Sequence, residues 1–527
     1  AGPRAYDYKL RLLLAGIPEE KIRLAEDEFA ALELLPLYMM NGYVELIKGK
    51  FCLLLVLAFT ACLAAPFGGK GSRLQKKEAA SWLPLPVLCA AYAAALAMAE
   101  HKQAAFWGIA GRNNGLLLLL ACTALYFVVR EHAASLPAEG LTAALVFVGC
   151  GITAISLANF FMLDPLDAYY SLLPGKGELF LGTEGNSNFY GALLCLCVPL
   201  AAQKLAAAQP KRAGIGWGAA LVWLALGLVA AGSDAAWLGA FAGLCLLLCR
   251  KKTGSGGTQR LLAAGAAWGL AAFLLGLAAR ALPTRTALRT ISNAITLPGP
   301  ALALAGLLAA LAAVLYKHPG ISAWRVARWG VGTVCVLTAV VLAAANLSSV
   351  SLGGLENVLR FSDRWGSNRG FVWSRLWQIW RDDITWPQRL FGLGGDAVYY
   401  RLQIDNYADY AKILNGAAFD SAHSEYLQHL LCGGLVGLGA WLAFLEVHIR
   451  RGMRTQPGIA AAVLAYAVQA AFSISMPGVL PLVFVLGALC WAENTQGVHL
   501  MRRCMGLLAA AALPLCWCAE ILAKKLA

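Results

Sequence analysis

Arg369 and His423 are the two residues from which a chemical reading of this chain starts, because they bracket one long polar stretch between apolar runs. Arg369 has Arg360, Arg364, Arg375 and Arg381 nearby. A guanidinium cluster suits a diphosphate head group, since each Arg offers a fork of donors and never loses its charge. An imidazole beside such a cluster can take a proton from an attacking hydroxyl, because it titrates near neutral pH. Each residue also has a plainer use. An Arg in a long loop commonly serves as a surface ion-pair partner, and His423 stands where it can cap or pack against the helix expected from Glu425.

The elements that must position these residues are membrane spans. The chain has 527 residues, of which 59% are apolar and only 14% charged, and its mean hydropathy is +0.63. That composition is too hydrophobic for a water-soluble protein and excludes a secreted scaffold, a disordered chain and a soluble Rossmann or barrel enzyme. A bilayer core of about 30 Å needs about 20 residues of helix. Apolar runs of that order lie near 51–67, 82–99, 114–130, 141–163, 188–208, 215–232, 234–249, 261–282, 299–316, 326–346, 425–447, 458–475, 478–492 and 504–522. The fold class is therefore all-α, a polytopic membrane helical bundle of 13–14 transmembrane helices. The run 234–249 is short, and 478–492, which follows Pro477, can be re-entrant.

The organisation expected is an N-terminal polar or interfacial segment (1–50), spans over 51–346, an outer loop domain (347–424) and C-terminal spans (425–527). The net charge of +14 sits mostly in short clusters between spans, which argues for orientation by the positive-inside rule and against nucleic acid as a partner. Residues 1–34 are charged and helix-prone, so no cleavable signal is expected there. The basic loops fall on one side, taken as cytoplasmic, and 347–424 falls on the other. Arg280, Arg285 and Arg289 run against that trend and point to an anionic partner, with lipid phosphates as the bland alternative.

Inside 347–424, Ser367 or Asn368 can cap a helix through FVWSRLWQIWRDD, where Trp373, Leu376, Trp377 and Trp380 form a stripe suited to the outer leaflet. Asn186 and Asn188 either line a polar cleft or cap the next span. Gly433, Gly434, Gly437 and Gly439 suit close helix packing. His429 is six residues from His423, not at the spacing of a helical metal pair. Tyr399 and Tyr400 can stack on sugar rings or anchor at the interface. Most cysteines lie within apolar runs without ligand spacing, so neither disulfides nor a metal site is expected.

The order of the motifs says more than any one of them. RGFVWSRLWQIWRDD, then LFGLGGDAVYY, then DSAHSEYLQHLLCGGLVGLGAWL resembles the carboxy-terminal core of the O-antigen ligase and polymerase family. GTEGNSNFYGALLCLCVPL is similar to that family's Gly-Asn-x-Asn motif, and WGIAGRNNGLLLLL, with Arg112, resembles a Gly-x-x-x-Arg-x-x-Gly element of many Gram-positive members. The resemblance implies a GT-C type membrane glycosyltransferase of the bacterial cytoplasmic membrane. It would move a glycan from undecaprenyl diphosphate to an acceptor hydroxyl, on a glycan or glycolipid, at the outer face, without a metal or other cofactor. Arg369 would then bind the diphosphate and stabilise it as leaving group, and His423 would activate the acceptor or help orient the phosphate. Arg375 is a second diphosphate candidate, on geometry.

Two positions depart from the family pattern. Ser424 stands for the family's Asn, and Ser233-Asp234 stands where Ser-Arg is frequent. The second change would move donor binding to Arg280, Arg285 or Arg289, or signal a different substrate. The rival readings are a polytopic transporter of a small or anionic solute, which would carry charges inside its spans, and a membrane scaffold without turnover. Ligase, polymerase and protein-glycosylating activity differ in acceptor and are not separable from these residues.

Overall fold

The computed structural model describes residues 46–64, 79–132, 138–169, 172, 177–209, 211–349, 351–353, 356–403 and 419–491. The expected N-terminal segment up to residue 45 and the run 504–522 lie outside the described residues. The long helices are α1 (Leu46–Ala64), α2 (Pro84–Met98), α3 (Leu116–His132), α4 (Ala138–Phe160), α5 (Ser187–Ala207), α6 (Lys211–Ala231) and α7 (Asp234–Leu248). They continue as α8 (Gly254–Ala281), α9 (Pro298–Lys317), α10 (Ala323–Leu347), α11 (Trp365–Gln378), α12 (Glu425–Thr455), α13 (Pro457–Ala470) and α14 (Leu480–Leu489). A two-residue antiparallel hairpin, β1 (Phe180–Leu181) and β2 (Gly185–Asn186), precedes α5.

The protein is an all-α polytopic membrane protein: among the described residues, α4, α5, α6, α8, α9, α10 and α12 are each long and apolar enough to cross a membrane. The shorter apolar helices α2, α7, α13 and α14 fill in around them. The ten residues of α14 rise about 15 Å, half a hydrocarbon core, which is the re-entrant length rather than a full crossing.

At the centre stands α5, with 89% of its apolar window buried, whereas α10 at the periphery has 6%. Helix α7 lies on α13 and α5. The approach is close because Gly239 and Gly243 leave no side chain there. A Cβ on Gly239 would come within 2.4 Å of the Ala465 carbonyl oxygen, and one on Gly243 within 2.8 Å of that of Ala461. With little hydrophobic force between helices in lipid, such small-residue contact is what holds them.

Helix α12 is kinked at Gly434, whose φ of 66° only glycine adopts cheaply. The kink frees carbonyls that the 392–396 turn uses: Leu393 N–H donates to Leu431 O (2.8 Å) and Gly394 N–H to Cys432 O (3.1 Å). Only part of the glycine-packing expectation is met. Gly433 touches the Tyr92 ring and Gly434 makes the kink, while Gly439 faces open space.

Charged groups stand near the ends of α1, α3 and α12: Arg130 and Glu425 are buried, and Lys50 is partly buried. Lys50 pairs with Glu184 at 2.6 Å. Glu425 accepts from the Tyr466 hydroxyl at 2.8 Å, and His429 Nδ1 meets the Tyr92 hydroxyl at 2.9 Å.

The expected amphipathic helix is present as α11, but the stripe is shifted. Gly370, Val372 and Leu376 are its buried residues, followed by Ile379 in the π-turn Ile379–Asp383. Trp377 is 47% exposed, and Trp373 is held to the protein by donating from Nε1 to Ala422 O at 2.9 Å. Ser367 and Asn368 do not form an ordinary N-cap. Together with Gly366 they take left-handed backbone, and regular helix starts at Arg369. That bend lets Gly370 press against the Ser362 carbonyl, where a Cβ has no room.

Candidate functional site

The ends that face one another on one side of the bundle are the starts of α3, α5, α7, α11 and α12 and the turn after α13. Asn186 caps α5, its side chain accepting from Asn188 N–H at 2.8 Å. Ser233 caps α7, its hydroxyl accepting from Ala236 N–H. The two caps are joined, because Ser233 Oγ donates to Asn188 Oδ1 at 2.8 Å. Asn188 O in turn accepts from Gln469 Nε2 at 3.1 Å, which ties the end of α13 to the same point. Of the two roles expected of the asparagines, Asn186 takes the cap, while Asn188 is a cross-brace between α5, α7 and α13. The N-terminal ends of α5, α7 and α12 bring the positive poles of three helix dipoles to this side.

Arg112 lies in the 109–114 turn before α3 and makes a bidentate ion pair with Asp420, Nε to Oδ2 at 2.9 Å and Nη2 to Oδ1 at 2.8 Å. Its guanidinium also stands 5.6 Å from the centre of the Phe189 ring on α5. Asp420 precedes His423 by three residues in a turn that leads into α12. His423 itself is left-handed, with φ 47°, and its ring stands edge-on to Phe419 at 5.2 Å.

Burial and the two neighbouring cations, Arg369 and then Arg112, push the His423 imidazole down to about 4, against the opposite pull of Asp420. Burial alone would raise Asp420, but the Arg112 charge and its hydrogen bonds, with His423 adding to them, hold that carboxyl below its ordinary value. The imidazole is thus neutral at physiological pH, with its proton-accepting form fully populated.

Arg369, at the first regular turn of α11, is lowered by burial, partly offset by Asp234. One of its donors, Nη1, is used by Gly366 O at 2.9 Å, while Nε is buried without a hydrogen-bond partner. The same holds for Asn113 Oδ1, Asn114 Oδ1, Ser421 Oγ and Ser473 Oγ. Buried polar atoms without partners are rare in folded proteins, and these five belong to the 109–114 turn, the start of α11, the bend before α12 and the turn after α13. Five of the eight positive-φ residues other than glycine among the described residues, Asn113, Ser367, Asn368, Asp396 and His423, lie on these same segments or on the 392–396 turn; the others are Met162, Asp167 and Thr290. Such conformations cost about 1–3 kcal/mol each and concentrate at functional sites.

The remaining sequence candidates are distributed unevenly. Asp234 takes Ile291 N–H at 3.3 Å on Oδ1 and balances Arg369 electrostatically, so the departure from Ser-Arg puts an acid within electrostatic reach of Arg369. Arg289 is exposed, at the rim near Asp234, where a Cβ added to Gly232 would lie 3.7 Å from its stem. Arg285 is not brought to His423. It lies 3.5 Å from the centre of the Tyr169 ring and donates to the Asn159 and Met162 carbonyls. Arg280 is held by Thr296 and Asn293. Arg375 follows Arg369 by six residues, two-thirds of a turn off its face, and donates to Gln378 Oε1 at 3.3 Å.

Asp420 and Asp396 were not anticipated as site residues. Asp396 is 1% exposed, and burial drives its carboxyl up to about 6 against the pull of its hydrogen bonds and of Arg112. The acid three residues before His423 and the Gly-Gly-Asp turn were the available signals; their partners lie 308 and 287 residues away.

Among known proteins, residues 291–442 match the family model described as O-antigen ligase. That segment takes in α9 to the middle of α12, and so Arg369, Asp396, Asp420 and His423. No curated protein matches the chain.

Proposed function

From the match of residues 291–442 to the O-antigen ligase family model, we propose that this protein is a metal-independent, inverting membrane glycosyltransferase. It takes a glycan from undecaprenyl diphosphate and joins it to a hydroxyl of an acceptor glycan or glycolipid. The reaction takes place on the extracytoplasmic face of a bacterial cytoplasmic membrane, in polysaccharide assembly. The observation that carries the reading is Arg369, a half-buried guanidinium whose Nε is buried and unpartnered, close enough to His423 to depress its pKa.

The chemistry follows from those two groups. The acceptor oxygen attacks the anomeric carbon as the bond from that carbon to the diphosphate oxygen breaks. The negative charge that builds on the diphosphate meets Arg369, with the N-terminal ends of α5, α7 and α12 adding fixed positive potential. Preorganised donors of this kind are worth several kcal/mol at a departing anion, which is the work a divalent cation would otherwise do. The acceptor's proton passes to His423. In the free protein burial and two cations keep that imidazole neutral; an arriving diphosphate offsets the cations, so the affinity of His423 for a proton rises when the donor is bound.

The test is mass spectrometry of lipids that copurify with wild type and with Arg369→Ala. Polyprenyl phosphate or diphosphate enriched in wild type and lost in the variant supports the donor site. Absence of such lipids, or binding indifferent to Arg369, counts against it and favours a transporter.

A further inference from the structure

We infer that Asp396 is a positioning residue for His423, acting through the 109–114 turn and the Arg112–Asp420 ion pair. This rests on the reading of His423 as the proton acceptor. The path is a series of direct contacts. Asp396 Oδ2 accepts from Ile109 N–H at 2.8 Å and from Asn114 N–H at 3.2 Å, one at each end of the turn. The turn closes on itself through Arg112 N–H and Asn113 N–H, which both donate to Ile109 O. It carries Arg112, whose fork grips both oxygens of Asp420, and Asp420 begins the Asp420–Ser424 turn that holds His423.

The local backbone is built for this one carboxylate. Asp396 is left-handed at φ 52° and follows Gly394 and Gly395, which lie directly on the 99–115 segment. A Cβ on Gly395 would come within 2.8 Å of both the Ala105 carbonyl oxygen and Gly115 Cα. The turn that presents Asp396 is itself hung on the kinked carbonyls of α12, the helix whose N-terminal end His423 precedes. Asp396 thus joins the two elements that meet at the imidazole, and it touches neither His423 nor any reacting atom.

A residue that only stabilised the fold would loosen the protein generally; a positioning residue loosens a particular path. The experiment is hydrogen exchange by mass spectrometry on the full chain in nanodiscs, together with glycan transfer, for Asp396→Ala, Asp396→Asn and Arg112→Gln. With two charge-assisted acceptor contacts gone, Asp396→Ala should raise exchange about tenfold or more both at 109–114 and, though no contact there was removed directly, at 419–424. Its kcat should fall with little change in KM. Asn keeps an oxygen for the two N–H groups and should rescue both readouts. Arg112→Gln should loosen 419–424 while leaving 109–114 protected, so the path is tested even if the alanine variant fails to fold.

Exchange at 419–424 unchanged in both Asp396→Ala and Arg112→Gln, or no rescue by Asn, overturns the inference. If His423→Ala transfers glycan as well as wild type while the exchange pattern is as expected, the role of His423 is what fails, and the coupling stands.

Discussion

Replacing Arg369 with Lys separates charge from geometry at the proposed leaving-group site. In the folded protein Arg369 already gives Nη1 to the Gly366 carbonyl at 2.9 Å, and its Nε is buried and unpartnered. Lysine keeps the positive charge but cannot reproduce a planar fork with one arm tied to the backbone. Loss of one preorganised donor to a developing anion costs about 3–4 kcal/mol, or about 10²–10³ in kcat. Arg369→Ala should lose at least as much. The two variants should differ in their pH profiles. Arg369 is the larger of the two cationic influences on His423, so the alanine variant should shift the His423 ionisation upward from about 4 toward its ordinary 6.5, and the lysine variant should shift it less. The assay is steady-state transfer from a synthetic undecaprenyl-diphosphate oligosaccharide in nanodiscs across pH, with KM and kcat resolved. A lysine variant with kcat within about threefold of wild type, or one that raises KM alone, would show that the residue merely anchors the donor.

Further outcomes follow from the same geometry. His423→Gln should lower kcat by about 10²–10⁴ while polyprenyl lipid still copurifies, as mass spectrometry would register. Arg375→Ala, on another face of α11, should leave transfer within about threefold of wild type, measured under the same conditions. Treatment with EDTA should leave the transfer rate unchanged, since arginines and helix ends carry the anion; a loss restored by added cation would contradict this. The Asp396 carboxyl is raised from 3.8 to about 6 in the folded state, so its contribution to stability is fully present below pH 3.8 and is lost as pH rises through 6. Asp396→Asn should therefore melt at higher temperature than wild type at pH 8 and near wild type at pH 4, readable by thermal denaturation in detergent.

Much of the fold was legible because the bilayer imposes one length and one polarity on every span. The run read at 234–249 is the helix Asp234–Leu248, and the one read at 82–99 is Pro84–Met98. Errors arise where polarity and helix part company. Helix α12 extends to Thr455, eight residues beyond its apolar run, because its charged end pairs along the helix, Glu446 with Arg450 at 2.6 Å. On α11 the tryptophan stripe suggested a leaflet-facing helix, yet Trp373 is bound to Ala422 and a left-handed bend at 366–368 replaces the expected cap. At the site, Arg369, His423, Arg112, Asn186 and Asn188 were visible by residue type and motif order. The ion pair of Arg112 with Asp420 and the grip of Asp396 on the 109–114 turn were not, since nothing local marks a partner some 300 residues away. Arg285 looked functional only because its charge was out of place, and it is spent on Tyr169 and two carbonyls.

The central claim is tested most directly by incubating the purified protein in nanodiscs with a synthetic undecaprenyl-diphosphate oligosaccharide and a hydroxyl acceptor, and following both products by mass spectrometry. The account predicts that free undecaprenyl diphosphate and glycosylated acceptor appear in equal amounts with wild type and fail to appear with His423→Ala. A donor that stays intact with wild type, or a His423→Ala protein that matches it, would contradict the account.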